Sequence, residues 1–133
     1  MKNAIIMRGL PGSFKSTTAQ FIAKGKDARI HSTDDFFVVE GEYRFNPKLL
    51  SVNHSKNLVA FRKSLVDGIP LVICDNTNIR RTHFQPYIQA AESLGYGVMV
   101  LSMPHPDPKE AAAKNIHGVP EHAIRRMLEE WED

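Results

Sequence analysis

The sequence predicts an α/β fold in three layers, a parallel β-sheet with helices on both faces. Two observations carry this expectation. Short apolar, β-branched runs alternate with helical patterns from one end of the chain to the other. Polar, acid-bearing segments begin where apolar runs stop, which is where parallel sheets gather their ligands. At 133 residues the chain has the length of one domain and can bury roughly two thirds of its unfolded surface. Its 42% apolar and 24% charged residues include no biased tract. The net charge of +2 falls short of what a dedicated nucleic-acid binder concentrates on one face. A single cysteine, Cys74, excludes an internal disulfide and suits a reducing compartment.

Each element has a local reason. NAIIM (3–7) is a β-branched run; Arg8 cuts it short of a signal sequence, so a strand in a cytoplasmic protein is expected. No apolar run approaches membrane-spanning length. Ser16 to Lys24 reads as a helix with Ala19, Ile22 and Ala23 on one side. ARIHS (28–32) is a second strand, and 33–46 is the longest irregular segment. From Pro47 to about Asp67 a long helix carries Leu50, His54, Leu58, Phe61 and Leu65 along one stripe, until Gly68 and Pro70 stop it. PLVICD (70–75) is an unbroken apolar run and therefore a strand buried on both faces. A helix follows from Thr82, with a T-x-x-Q capping box and Phe84, Ile88 and Ala91 at core spacing. YGVMVLS (96–102) is the next strand, 103–119 a loop. A last helix from Pro120 puts Ile124, Met127, Leu128 and Trp131 on one face.

Between the first strand and first helix lies GLPGSFKS (9–16), one residue from the phosphate-loop pattern G-x-x-x-x-G-K-[ST]. Gly9, Gly12, Lys15 and Ser16 stand at the required positions. The candidate nucleotide-binding segment is Gly9, Pro11, Gly12, Ser13, Phe14, Lys15, Ser16 and Thr17. Its chemistry is a nest of backbone N–H groups at a helix N-terminus, with a lysine for the outer phosphates and the Ser16 hydroxyl for Mg²⁺. Phe14 is the departure, since the pattern needs glycine there. At negative φ its amide still faces phosphate; at positive φ the residue is strained by about 1–3 kcal/mol and the nest is expected to distort.

The acidic strand ends supply the remaining chemistry. Asp34 or Asp35 can accept a proton from an acceptor hydroxyl, and in an extended segment only one of the two faces the site. Asp75 can hold a metal or its water shell, or else form a turn with Asn76–Asn78. Arg80 and Arg81 can touch substrate phosphate or lie in a solvated loop. On the last helix Arg125 flanks the apolar face and Arg126 points away, so Arg125 is the one able to reach a neighbouring cleft; its alternative is an i,i+4 partner of Glu121 or Glu129.

GLPGS-KST, HSTDDFF, GEYRFNP, ICDNTNIRR and KNIHGVPEHAIRRM, in that order over nearly the whole chain, resemble the polynucleotide-kinase branch of the P-loop kinases, which also includes zeta-toxin-like members. The likeness extends to polynucleotide-kinase-like domains of certain ubiquitin-ligase-binding proteins and to bacterial and phage relatives. It implies a three-layer P-loop NTPase fold over 1–133, with a lid region at about 103–133. The implied activity is transfer of the ATP γ-phosphate to a nucleic-acid hydroxyl, either the 5′-hydroxyl or a hydroxymethyl group of a modified DNA base. By the same resemblance Asp34 is the general base and Asp75 the acid of the third strand. Lys15 and Ser16 are then the phosphate and magnesium groups, and Arg125 the lid arginine, assisted by Lys114. In phage members arginines flank the aspartate pair; here Thr33 precedes it and Phe36–Phe37 follow, so the substrate grip differs. The two phenylalanines either stack on a base or belong to the core. A small-molecule kinase and a non-catalytic nucleotide-binding module are the competing functions.

Other residues point to no chemistry of their own. No histidine pair has H-x-x-x-H spacing or a neighbouring cysteine for a zinc site. His54 is expected as a hydrogen-bonded core residue, His117 as structural, Cys74 as a small buried hydrophobe, and EEWED as a solvated helix end with Trp131 docked.

Overall fold

The computed structural model describes all residues, 1–133. Its main sheet has four parallel strands: β1 (Asn3–Arg8), β2 (Ala28–His31), β5 (Leu71–Asp75) and β6 (Gly97–Ser102). Their spatial order is β2-β5-β1-β6. From β1 the chain moves one way to β2 through α1 (Lys15–Ala23), then reverses through α2 (Leu50–Val66) to β5 and α3 (Arg81–Ser93) to β6. Parallel crossovers are right-handed, so the reversal puts α1 on one face and α2 with α3 on the other. The alternation along β1 matches: Ala4 and Ile6 join Phe61, Phe84 and Tyr87 in the larger core, while Met7 joins Ala19 and Ile73 on the α1 side.

The register matters most for function. Met7 lies opposite Asp75 on one side and Leu101 on the other. The loop that leaves β1 therefore emerges beside the carboxyl end of β5, at the switch point where open α/β sheets bind ligands.

Four expectations change. Residues 33–46 are ordered. A 3₁₀ turn spans Thr33–Phe37, followed by the hairpin β3 (Val38–Val39) and β4 (Glu42–Tyr43). Its two turn residues, Glu40 and Gly41, both have positive φ, 51° and 83°, as a type I′ turn requires. The stretch 103–119 is not all loop, because Asp107 accepts from the Glu110 amide and caps α4 (Pro108–Lys114). The stripe on α2 is displaced. Leu50 and His54 lie on its exposed side, and the buried positions are Asn53, Asn57, Phe61, Ser64 and Leu65. Asn53 donates to the Phe36 carbonyl, and Asn57 to the Tyr87 hydroxyl at 3.0 Å. Finally, α3 starts at Arg81, near Thr82 as expected, but without the T-x-x-Q box: the His83 ring, not Gln85, accepts the Arg80 amide.

The apolar face foreseen on the last helix, α5 (Glu121–Glu130), is present. Ile124 packs with Leu10, Ile79 and Ala111, and Met127, Leu128 and Trp131 lie against them. The helix pair α4–α5 thus sits directly on the loop after β1. The acidic tail is solvated with Trp131 docked, as expected, and its backbone is also clamped. The Glu132 amide donates to Ile79 O at 3.0 Å, and Arg8 donates to Glu132 O. Only 3% exposed, Arg8 is held between Phe84 and Trp131 with its guanidinium carbon 4.4 and 4.3 Å from the ring centres. It also donates to the carbonyls of Asn78 (2.8 Å) and Ile79 (3.0 Å). No helix is long and apolar enough to cross a membrane.

Candidate active site

The loop after β1 has the makings of an anion cradle. The amides of Gly12, Phe14, Lys15, Ser16 and Thr17 donate to no protein acceptor, whereas Gly9 donates to Thr77 O at 3.1 Å and Ser13 to Leu10 O at 3.1 Å. The Ser13 hydroxyl is buried with no partner. A Cβ on Gly9 would stand 2.6 Å from that oxygen, and one on Gly12 would stand 2.8 Å from the Ala111 backbone. A side chain at Gly12 would force the loop and the Ala111 backbone apart, whereas one at Gly9 would displace the Ser13 hydroxyl or Met103. Unpaired donors around a glycine-lined hollow at a helix N-terminus fit a phosphate group.

Phe14 takes the positive-φ alternative, at φ 64° and ψ 24°. The amides on both sides of Phe14 still lack protein acceptors, so the strained φ does not close the loop on itself. The ring is 63% exposed and turns away from the core.

Lys15 and Asp75 meet at 2.7 Å, both largely withdrawn from solvent. Asp75 is therefore an ion-pair partner rather than a turn former. Its Oδ2 and the Ser16 hydroxyl carry no protein partner. No three His, Cys, Asp or Glu side chains gather to hold a metal on their own. One hydroxyl and one carboxylate beside a phosphate cradle is the sparse donor set that Mg²⁺ takes between phosphates, so these residues fit that ion.

The aspartate pair reaches the same rim through a tether. The Thr33 amide donates to Asn76 Oδ1 at 2.9 Å, fixing the start of the 3₁₀ turn to the end of β5. The Thr33 hydroxyl meets His54 Nδ1 at 3.0 Å. In a 3₁₀ turn neighbouring side chains diverge by about 120°, not by the 180° of an extended segment. Asp35 senses Asp75: burial, then the charges of Asp34 and Asp75, raise its pKa. Asp34 turns toward Tyr43 and His117 instead. Its Oδ1 accepts from the Tyr43 hydroxyl at 3.3 Å, and its Oδ2 lies 3.3 Å from His117 Nε2. The Tyr43 and His117 rings stack with centroids 4.0 Å apart.

Other expected site residues are engaged elsewhere. Arg81 donates to Asp133 O at 2.6 Å and its amide to Glu132, and Arg80 stands 3.8 Å from Glu130. Both arginines are exposed and reach the C-terminal segment in this structure. Arg125 makes the i,i+4 pair with Glu121 at 2.8 Å, and Lys114 is exposed at the end of α4. The phenylalanines divide: Phe37 is buried against Tyr43 and Phe45, while Phe36 is 37% exposed. His117, expected to be structural, stands at the candidate base; nothing local in IHGVP signals that contact across the fold.

Comparison with known proteins places this geometry. Residues 5–132 match the family described as AAA domain. The chain is 36% identical to human NEDD4-binding protein 2 over 96% of its own length, but spans only 8% of that protein. Among solved structures it resembles a chain of the Pnkp1/Rnl/Hen1 RNA repair complex, with TM-score 0.73, 19% identity, and coverage of 97% of this chain and 43% of that one. It also resembles the Mycobacterium tuberculosis APS kinase CysC, solved with AMPPNP and APS: TM-score 0.63, 14% identity, 88% of this chain and 70% of that one. Its fold is that of the P-loop kinases, a parallel sheet flanked by helices.

Proposed function

The chain belongs to the AAA domain family, and from that premise we propose that it is an ATP- and Mg²⁺-dependent kinase that phosphorylates a hydroxyl of a nucleic acid. The observation that carries this reading is the shared rim: Lys15 lies 2.7 Å from Asp75, and Asn76, the next residue, holds the segment bearing Asp34 and Asp35. A mere nucleotide binder has no need of a proton acceptor there.

The loop and the Lys15–Asp75 pair support the following roles, and the family resemblance supports Asp34 as the base. The free amides of Gly12 and of residues 14–17, with the Lys15 ammonium, receive the phosphates; to do so Lys15 exchanges one anion, Asp75, for another. Ser16 and Asp75 would hold Mg²⁺, which supplies charge neutralisation across the transferring phosphates. Asp34 takes the proton of the acceptor hydroxyl. The acceptor oxygen then bonds to the γ-phosphorus, and the bond from that phosphorus to the β–γ bridging oxygen breaks, leaving ADP. Residues 1–133 act as one kinase domain, and 103–133 is its lid. Arg125 joins the site by leaving Glu121, an exposed pair worth about 0.3–0.5 kcal/mol, so the exchange is cheap. Lys114 is free to assist.

The ordered polynucleotide-kinase-like segments support a nucleic-acid acceptor, as does the RNA repair setting of the Pnkp1 neighbour. The APS kinase neighbour supports a small-molecule acceptor instead. One assay separates them: incubation with labelled ATP and a panel of 5′-hydroxyl DNA, 5′-hydroxyl RNA, hydroxymethyl-base DNA, nucleosides and APS. Label in a polymer is the expected result. Label only in a small molecule overturns the acceptor class, and no label anywhere overturns the kinase.

A further inference from the structure

We propose that His117, together with Tyr43, is a positioning residue for the proton acceptor Asp34, so that the loop between α4 and α5 sets the base. The inference rests on the kinase reading above and deepens it.

Asp34 belongs to a short 3₁₀ turn and is only half-buried, so its own backbone does little to fix its carboxylate plane. The plane is fixed from outside, one oxygen to each neighbour: Oδ1 to the Tyr43 hydroxyl and Oδ2 to His117 Nε2. The neighbours come from different segments, β4 and the loop 115–120, and they brace one another through their stacked rings. Tyr43 is a dependable donor, because burial and then the adjacent Asp34 charge push its pKa up to about 12. The His117 loop is itself shaped by Asn115. That side chain donates to the carbonyls of Ala111 and Val119 at 2.9 and 3.0 Å and accepts the Val119 amide at 2.8 Å.

A carboxylate offers about four lone-pair sites, so the Tyr43 hydrogen bond and the 3.3 Å contact with His117 leave room for the acceptor hydroxyl. In the transfer the proton passes from that hydroxyl to Asp34, while Tyr43 keeps its own. His117 and Tyr43 hold the accepting oxygen in line with the forming bond, where a displacement of about 1 Å can cost on the order of a hundredfold in rate.

The experiment has two arms. In the substrate-free protein, NMR should show NOEs between the Tyr43 and His117 ring protons; their absence overturns the proposal whatever the activity. In steady-state kinetics with the acceptor that wild type phosphorylates, His117→Ala should lower kcat by roughly tenfold to a hundredfold with KM for ATP within about twofold. His117→Gln, whose amide nitrogen can stand near the imidazole Nε2, should recover most of the loss, and Tyr43→Phe should show a smaller kcat defect. A loop that merely unfolds would raise KM for ATP and would not be rescued by Gln; that result overturns the proposal. If wild type transfers phosphate, Asp34→Asn does not, and His117→Ala keeps full kcat, the positioning role falls while the kinase stands. If Asp34→Asn keeps full turnover, or wild type transfers nothing, the reading beneath it falls as well.

Discussion

Replacing Phe14 by glycine should make this protein more stable, although it removes an aromatic side chain. Phe14 sits at φ 64° and ψ 24°, where an L-residue other than glycine is penalised by about 1–2 kcal/mol. Glycine removes that penalty but loses roughly 0.5–1 kcal/mol more chain entropy on folding. The ring is 63% exposed, so its loss sacrifices little burial. The balance is a gain of about 0.5–1 kcal/mol. For 133 residues the unfolding entropy is roughly 0.28 kcal/mol/K, so Tm should rise by about 2–4 °C. Phe14→Ala is the control: it keeps the strained φ and should stay within about 0.5 kcal/mol of wild type. Because the backbone already has the conformation a glycine would take, ATP affinity in Phe14→Gly should change by no more than about threefold, or roughly 0.6 kcal/mol. Urea denaturation and calorimetric ATP titration of the three proteins provide the test. A glycine variant no more stable than the alanine variant would refute the strain argument, and a tenfold gain in ATP affinity would show that Phe14 does deform the cradle.

Other perturbations follow from the same contacts. Lys15→Ala should weaken ATP binding at least about tenfold by calorimetry and reduce turnover, since it removes the one cation at the cradle. Asp34→Asn should leave ATP affinity within about twofold while turnover falls by about two orders of magnitude or more; unchanged turnover would move the base elsewhere. Arg8→Met should cost about 1–3 kcal/mol in denaturant melts, because the buried Asn78 carbonyl loses its donor and those of Ile79 and Glu132 lose the guanidinium that ties them to β1. Burial, then the Arg29 charge, hold the His31 imidazole below its ordinary 6.5. Between that lowered value and 6.5 the unfolded chain binds more protons than the folded one, so stability should fall as pH drops through this window. His31→Gln should flatten the dependence in melts at pH 5.5 and 7.5.

The main sheet and most of its helices were legible because their signals are local. Apolar runs at 3–7 and 70–75 can be little else than strands, and Ile124, Met127, Leu128 and Trp131 fall on one helical face by spacing alone. The hairpin was not legible, because its turn is Glu40-Gly41 rather than the Asn-Gly or Asp-Gly that marks such turns. Helix α2 misled for a different reason. Its buried face carries Asn53 and Asn57, which pattern reading assigns to solvent, and their burial depends on carbonyl and hydroxyl partners 17 and 30 residues away.

At the site the division is similar. Spacing along the chain determined the phosphate loop, Lys15, and the acids at the ends of β2 and β5, because those features need only a few consecutive residues and the strand before them. The tertiary structure alone decided what each acid and base meets: Asp75 with Lys15, Asp34 with Tyr43 and His117, Arg80 with Glu130, and Arg81 with Glu132 and Asp133. These pairings join segments up to 83 residues apart, as between Asp34 and His117, and no local propensity encodes them. They exist because strand register brings β1 and β5 side by side and because helix packing lowers α4 and α5 onto the loop between β1 and α1.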